Sequence, residues 1–390
     1  MAVKMLYTQE FIDNLPTMHP FENPWVVALC RLDAQKDMKD MIEVWYEALP
    51  EDMKLRFKDK LLSTDNDKFI AAFHELAIYR YCIEEGWDVE YEPTLENGLT
   101  PDLLVHSKEY GDFIVEVTTL FDSVEIAKAV VRKEELTQRI AAVETDHVLN
   151  INYSGYPQKD YSSKKLANAV KAWLDTLPDD EKVHRKTFDQ NGCQVKVEAS
   201  KDRKKFPRPN MGCILVVGED GHVPDYSKRA KRKLDEKRKK YSSKEIGMPL
   251  VIVLADGVGR MRVDSYLIDK TLFGQYQVTI TNDGSKPPAM TRDRSGHFTP
   301  SNDERGDWFG KNTGISAVMF SSFRGGNKFQ MKVLHNPVAS IEMPYGPFEK
   351  MPQLVRTEDK PHVVMRWTLG KPDNFIENDE EQEITFKYDK

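Results

Sequence analysis

At 390 residues the chain is long enough for one large domain or two, with a sizeable apolar core. Hydrophobic residues make up 40% and charged residues 31%, which excludes an intrinsically disordered chain. A net charge of −7 excludes a uniformly basic coat for nucleic acid, so any such contact must use local patches. The four cysteines, Cys30, Cys82, Cys193 and Cys213, are widely spaced and form no CxxC pair. Reduced thiols are expected, with neither a zinc site nor a disulfide framework. No apolar signal core opens the chain and no apolar run reaches the length of a membrane span. The expectation is a cytoplasmic protein without a membrane partner.

Residues 1–65 read as a helical N-terminal segment. Met38, Met41, Ile42, Trp45, Tyr46 and Leu49 recur at helical spacing before Pro50, and residues 51–62 form a second helix. Ser63, Thr64, Asp65 and Asn66 are cap-type residues ahead of a core helix over 66–86. That helix has an apolar stripe of Phe69, Ala72, Phe73, Leu76, Tyr79 and Ile83, with Glu75 off its centre, facing either the strand ends or water.

Short strands follow over 88–93, 103–105 and 113–117, the last two joined by a polar turn at 107–111. Side chains alternate along a strand, so Glu116 and Thr118 share one face, while Val115 and Val117 take the other. Asp102 opens the neighbouring strand, and pairing brings it towards Glu116. Two carboxylates forced together repel, and a bound cation removes the penalty. Oxygen-rich sites of this kind favour Mg²⁺, Mn²⁺ or Ca²⁺, and Glu75 could join from the helix.

An amphipathic helix is expected over 124–143, a strand over 147–153 and a helix over 164–177. Asn191-Gly192 marks a hairpin between strands 185–189 and 193–198, and buried-type strands are expected over 213–217 and 249–255. Strands alternating with helices predict an α/β fold with a mixed central sheet. Two basic stretches interrupt it. Residues 201–208 contain Lys204 and Lys205; residues 228–240 contain Arg229, Lys231, Arg232, Lys233, Lys237 and Arg238. The second reads either as a phosphate-contacting surface or as a solvated helix with Ala230, Leu234 and Tyr241 inward. Strands over 315–323 and 328–334 flank an Arg324-Gly325-Gly326-Asn327 turn and extend the sheet, and His297 is expected in a surface loop. Neither Gly257-Val258-Gly259 nor residues 306–312 make a nucleotide loop, and no Gly-x-Ser-x-Gly elbow occurs. The resulting division is 1–65 helical, 66–260 core with basic insertions, 261–345 a β-rich extension and 346–390 an acidic, flexible tail.

Pro101-Asp102 followed by Glu116-Val117, with Glu75 on the preceding helix, resembles the PD-(D/E)XK nuclease superfamily over about residues 66–155. The motif lysine is replaced by Thr118. The resemblance implies a restriction-endonuclease-like core and Mg²⁺-dependent (or Mn²⁺-dependent) phosphodiester hydrolysis, in DNA rather than RNA. It also implies a restriction, repair or antiviral-defence setting. Asp102, Glu116, the Val117 carbonyl and Glu75 would hold the metal, with Asp102, Glu116 and Thr118 at the reacting centre. Lys128 or Lys133 on the next helix would replace the motif lysine, and Gln138 would position a phosphate or water. A homodimer or a partner in a defence complex is the implied assembly. The alternative is a degenerate nuclease fold that binds nucleic acid or serves as a subunit.

Overall fold

The structure is a computed structural model. It describes residues 5–18, 23–121, 124–155, 162–190, 193–202, 217–220, 226–241, 246–257, 265–279, 289–292, 295–299, 301–302, 308–309, 312–323, 329–359, 362–368, 370 and 385–388. The chain forms two compact units, one of Met1–Met18, Pro24–Phe121 and Asp225–Lys390, the other of His19–Asn23 and Asp122–Pro224.

The first unit begins with helices α1 (Gln9–Asn14), α2 (Trp25–Arg31), α3 (Lys36–Glu47) and α4 (Glu51–Leu61). The Met38, Ile42, Trp45 and Tyr46 stripe of α3 is buried, as its spacing requires. Helix α5 (Asn66–Glu84) starts where Asp65 accepts hydrogen bonds from the Asp67 and Lys68 amides. It is apolar on nearly all sides, because it lies between the N-terminal helices and the sheet. Strands β1 (Asp88–Tyr91), β2 (Leu103–Ser107) and β3 (Gly111–Leu120) follow as an antiparallel meander, with Leu103 opposite Val115.

The second unit holds α6 (Val124–Ala141), β4 (Val148–Ser154), α7 (Ser163–Leu174), β5 (His184–Gln190), β6 (Cys193–Ser200) and β7 (Val217–Asp220). Its four strands make a separate sheet in the order β5-β6-β4-β7. These residues, expected inside the central sheet, instead enclose their own core of Leu136, Ile140, Ile151, Val170 and Val197. Alternation explains the independence. One face of β4 and of β6 supplies that core, while Asn150, Asn152, Gln194, Lys196 and Glu198 lie on the other.

The chain then returns to the first unit with α8 (Tyr226–Lys240), β8 (Leu250–Asp256), α9 (Ser265–Phe273), β9 (Tyr276–Thr279) and β10 (Ala289–Arg292). A two-stranded ladder of β11 (Ser301–Asn302) and β12 (Trp308–Phe309) precedes the β13 (Ala317–Phe323) and β14 (Phe329–His335) hairpin. Strands β15 (Gln353–Asp359), β16 (His362–Thr368) and β17 (Thr385–Tyr388) complete an eleven-stranded mixed sheet. Its order is β1-β2-β3-β8-β13-β14-β15-β16-β17-β10-β9.

Strand β8 runs parallel to both β3 and β13 and is buried throughout. This is why residues 249–255 read as one continuous apolar run. On one face Val115, Val117, Val251 and Val253 pack with α5; on the other Ile114, Ile252 and Leu254 pack with Ala230 and Leu234 of α8. The fold is therefore α/β, a mixed central sheet flanked by helices. The expected flexible tail instead contributes β15, β16 and β17, because its apolar residues such as Leu354, Val355 and Met365 have a sheet to join. The acidic run 373–383 lies outside the described residues, as do the turns at 191–192 and 324–327 and all but Val217 of the expected strand 213–217. His297, expected at the surface, is buried.

Candidate active site

Three stretches, two from neighbouring strands and one from a distant helix, meet on the α8 side of the sheet. The first is Asp102, one residue before β2. Its Oδ2 accepts a 2.7 Å hydrogen bond from the Val117 amide, which ties the start of β2 across to β3. The second is Glu116, in the middle of β3 and fully buried. Its neighbour on the far strand is Ile252 of β8, so its carboxylate stands on a hydrocarbon floor. Isolated there, the charge would cost several kcal/mol. The third stretch is the C-terminal turn of α8, which supplies two lysines. Lys237 Nζ donates to Glu116 Oε2 and lies 3.6 Å from Asp102 Oδ2. Lys240 Nζ lies 3.2 Å from Glu116 Oε1 and donates at 2.8 Å to the Thr100 carbonyl. Tyr241 donates its hydroxyl to the same carbonyl at 2.8 Å.

The electrostatics follow from this packing. Burial pushes the Asp102 carboxyl up to about 6; the Glu116 charge adds to the rise, and Lys237 and the Val117 amide oppose it. Burial pulls the Lys237 ammonium down, but Asp102 and Glu116 more than offset it, and the net shift is upward. Two carboxylates and two ammonium groups thus form a cluster of zero formal charge around one point.

Glu75 stands outside this cluster. Its Oε2 accepts from Lys60 Nζ at 3.2 Å and from the Tyr91 hydroxyl at 3.1 Å, and burial followed by the Glu75 charge raises the Tyr91 phenol. Glu92 joins that group through Lys60 at 3.8 Å and also pairs with Arg56 at 3.0 Å. The Glu92 amide donates to the Asp102 carbonyl at 3.0 Å, from a backbone with φ of 48°. Among described non-glycine residues it alone has positive φ, a conformation costing about 1 kcal/mol or more for such a residue. This strained residue is therefore tied directly to the backbone of Asp102.

The carboxylate set expected for a metal is accordingly two rather than three. Among the described residues no three His, Cys, Asp or Glu side chains converge closely enough to hold an ion, because Glu75 is turned to Lys60 and Tyr91. Val117 enters through its amide rather than its carbonyl. Thr118 is buried on β3 and carries no charge. Lys133 is buried in the second unit, its ammonium 5.0 Å from the centre of the Tyr153 ring, while Lys128 and Gln138 are exposed on the same helix. Among the described residues, Lys237 contacts both Asp102 and Glu116, and Lys240 contacts Glu116.

The basic residues of α8 divide by direction. Arg229 donates to the Phe121 carbonyl and Lys231 to the Ser295 carbonyl at 2.6 Å. Arg238 lies 3.5 Å from Asp235. Among the described residues Arg232 and Lys233 pair only with Glu236, at 3.5 and 3.7 Å, and Arg232 and Lys239 are exposed. Ala230, Leu234 and Tyr241 are buried, so the inward apolar stripe exists together with an outward basic one. Lys204 and Lys205 lie outside the described residues.

No protein-family model, curated protein or solved structure matches the chain. No helix among the described residues is long and apolar enough to cross a membrane.

Proposed function

We propose that the protein is a metal-dependent nuclease with a restriction-endonuclease-like core, acting on phosphodiester bonds, in DNA by analogy with the family it resembles. The observation that carries the reading is the convergence of Asp102 and buried Glu116 on one point, with Lys237 supplied from α8. This arrangement makes good the lysine that Thr118 replaces. Two carboxylates facing each other, one held above its ordinary pKa by burial and by the other, are a donor set of hard oxygens that fits Mg²⁺ or Mn²⁺. A cation held there supplies Lewis-acid polarisation of the scissile phosphate. The Val117 amide fixes the rotamer of Asp102, and Glu92 fixes its backbone. Lys237 and Lys240 present positive charge where charge develops on a phosphate. The outward Arg232, Lys233 and Lys239 suit contact with a polyanionic backbone.

The test is cleavage of plasmid, linear and single-stranded DNA and of RNA, with Mg²⁺, Mn²⁺ or EDTA. Wild type is compared with Asp102→Asn and Glu116→Gln, which keep side-chain volume. The reading expects metal-dependent cutting that both substitutions abolish. Cutting that survives both would refute it.

A second reading is a retired site that pins α8 to the sheet and leaves a binding protein or subunit. The charge-neutral pairing of both carboxylates with lysines favours it. Nucleic-acid binding without metal-dependent cutting, in protein shown to be folded, would select that reading.

A further inference from the structure

We propose that Lys237 is an internal competitor for the divalent cation, so that metal loading requires its ammonium to leave the space between Asp102 and Glu116. The inference rests on the nuclease reading and concerns how that site is regulated.

The space between the two carboxylates is already filled by positive charge. Glu116 is fully buried, and its two oxygens are each taken by an ammonium group. Of the two lysines only Lys237 also approaches Asp102, at 3.6 Å. Its nitrogen therefore occupies the position that bridges both carboxylates. A small cation bound by the same two groups needs that position. Both cannot hold it, because an ammonium and a divalent cation repel at contact distance and compete for the same lone pairs.

The departure is structurally easy. The body of α8 is anchored by Tyr226, Ala230 and Leu234 in the core below. At its far end buried Tyr241 holds the backbone in place, while Lys237 and Lys240 reach the carboxylates through long, flexible side chains. The side chains of Lys237 and Lys240 are 22% and 40% exposed, so each has a route to water by rotation about its own bonds. Lysine is suited to this because it is a point charge on a four-carbon stem rather than a rigid fork. The outward residues Arg232 and Lys239 lie on the same helix, so a polyanion drawn to that surface would offer the released ammonium a new partner. By linkage, cation and polyanion then strengthen each other's binding.

The experiment is calorimetric titration of the full chain with Mn²⁺ alone, for wild type, Lys237→Met and Lys237→Arg. Lys237→Met removes the competing charge while keeping the stem. It is expected to bind Mn²⁺ about ten-fold or more tightly than wild type. Lys237→Arg keeps a charge and is expected to bind no more tightly than wild type. A companion measurement needs no variant: Mg²⁺ should shift the NMR resonance of the Lys237 side-chain Cε in the wild type towards that of a solvent-exposed lysine. It also decides the matter if Lys237→Met does not fold without metal. Equal affinity in wild type and Lys237→Met, with an unshifted Lys237 side-chain resonance, would overturn the competition while leaving the nuclease reading standing. Absence of Mn²⁺ binding in every form would overturn both.

Discussion

Replacing Asp102 by Asn should make the protein more stable at neutral pH while removing its proposed activity. In the folded state the Asp102 carboxyl is pushed up to about 6, first by burial and then by Glu116. In the unfolded chain it returns to about 3.9. A carboxyl raised on folding contributes stability that is fully present below the unfolded value and lost as pH rises through the folded one. About two pKa units correspond to an upper figure of about 3 kcal/mol at 1.36 kcal/mol per unit. Asn cannot ionise, keeps an oxygen for the Val117 amide and offers Glu116 a donor. Asp102→Asn should therefore raise stability by about 1–3 kcal/mol at pH 7.5 and change it little at pH 4. The assay is urea denaturation of both proteins at those two pH values without divalent metal, following near-UV signals. The first unit contains all six tryptophans except Trp173, so its transition is readily observed. A destabilised Asp102→Asn at pH 7.5, with no such loss at pH 4, would refute the reasoning. It would mean that the attraction of Lys237 for the ionised carboxylate outweighs desolvation and the repulsion from Glu116.

Other outcomes follow from the same geometry. Lys133→Met should destabilise the second unit by about 1–2 kcal/mol by removing the ammonium from the Tyr153 face, and Lys128→Ala should do little; neither should change metal-dependent cleavage more than two-fold. Arg232→Ala and Lys239→Ala should each lower the salt dependence of nucleic-acid binding by about one phosphate contact, read from log K against log salt concentration. Glu92→Gly should raise stability by about 1 kcal/mol in 1 M salt, where its exposed ion pairs are screened and relief of the positive φ remains; an unchanged melting midpoint would count against strain there. His74 is buried and lowered to about 4 by desolvation, against a smaller opposing effect from the Asp256 carbonyl. Its neutral form supports stability above pH 6.5, and that support should fade by up to about 3 kcal/mol as pH falls towards 4. NMR titration should find the ring still neutral at pH 5.

Much of the frame was legible because local signals agreed with each other. The Asp65 cap, the apolar α5, the β2–β3 hairpin and the continuous apolar run of β8 each follow from spacing and turn chemistry alone. Asp102 and Glu116 were legible for the same reason, since a hairpin places the start of one strand beside the middle of the next. The lysine partner was harder, because Lys237 lies 121 residues from Glu116 and is one of many basic residues in its helix. A local signal did exist. Ala230, Leu234, Lys237 and Tyr241 are spaced four, three and four apart, so Lys237 belongs to the inward stripe. A lysine in an apolar stripe needs a buried anion, and Glu116 is one. The separate sheet of the second unit was not legible, because periodicity assigns strands but not which sheet each one joins. The strands after residue 353 were hidden by the acidic composition that follows them.

The interruption of the first unit by the second has a consequence for synthesis. A ribosome adding about 5–20 residues per second takes roughly 6–24 s to pass from Glu116 to Lys237. During that interval β3 has emerged without β8, its neighbour in the sheet, and its buried-to-be carboxylate has no counter-ion. The inserted unit, whose strands and helices are contiguous, is complete before either arrives. The nascent chain therefore finishes its middle before its beginning, and the carboxylate pair stays in water until α8 is delivered. A fragment that ends before residue 226 should hold a folded second unit flanked by an open first one.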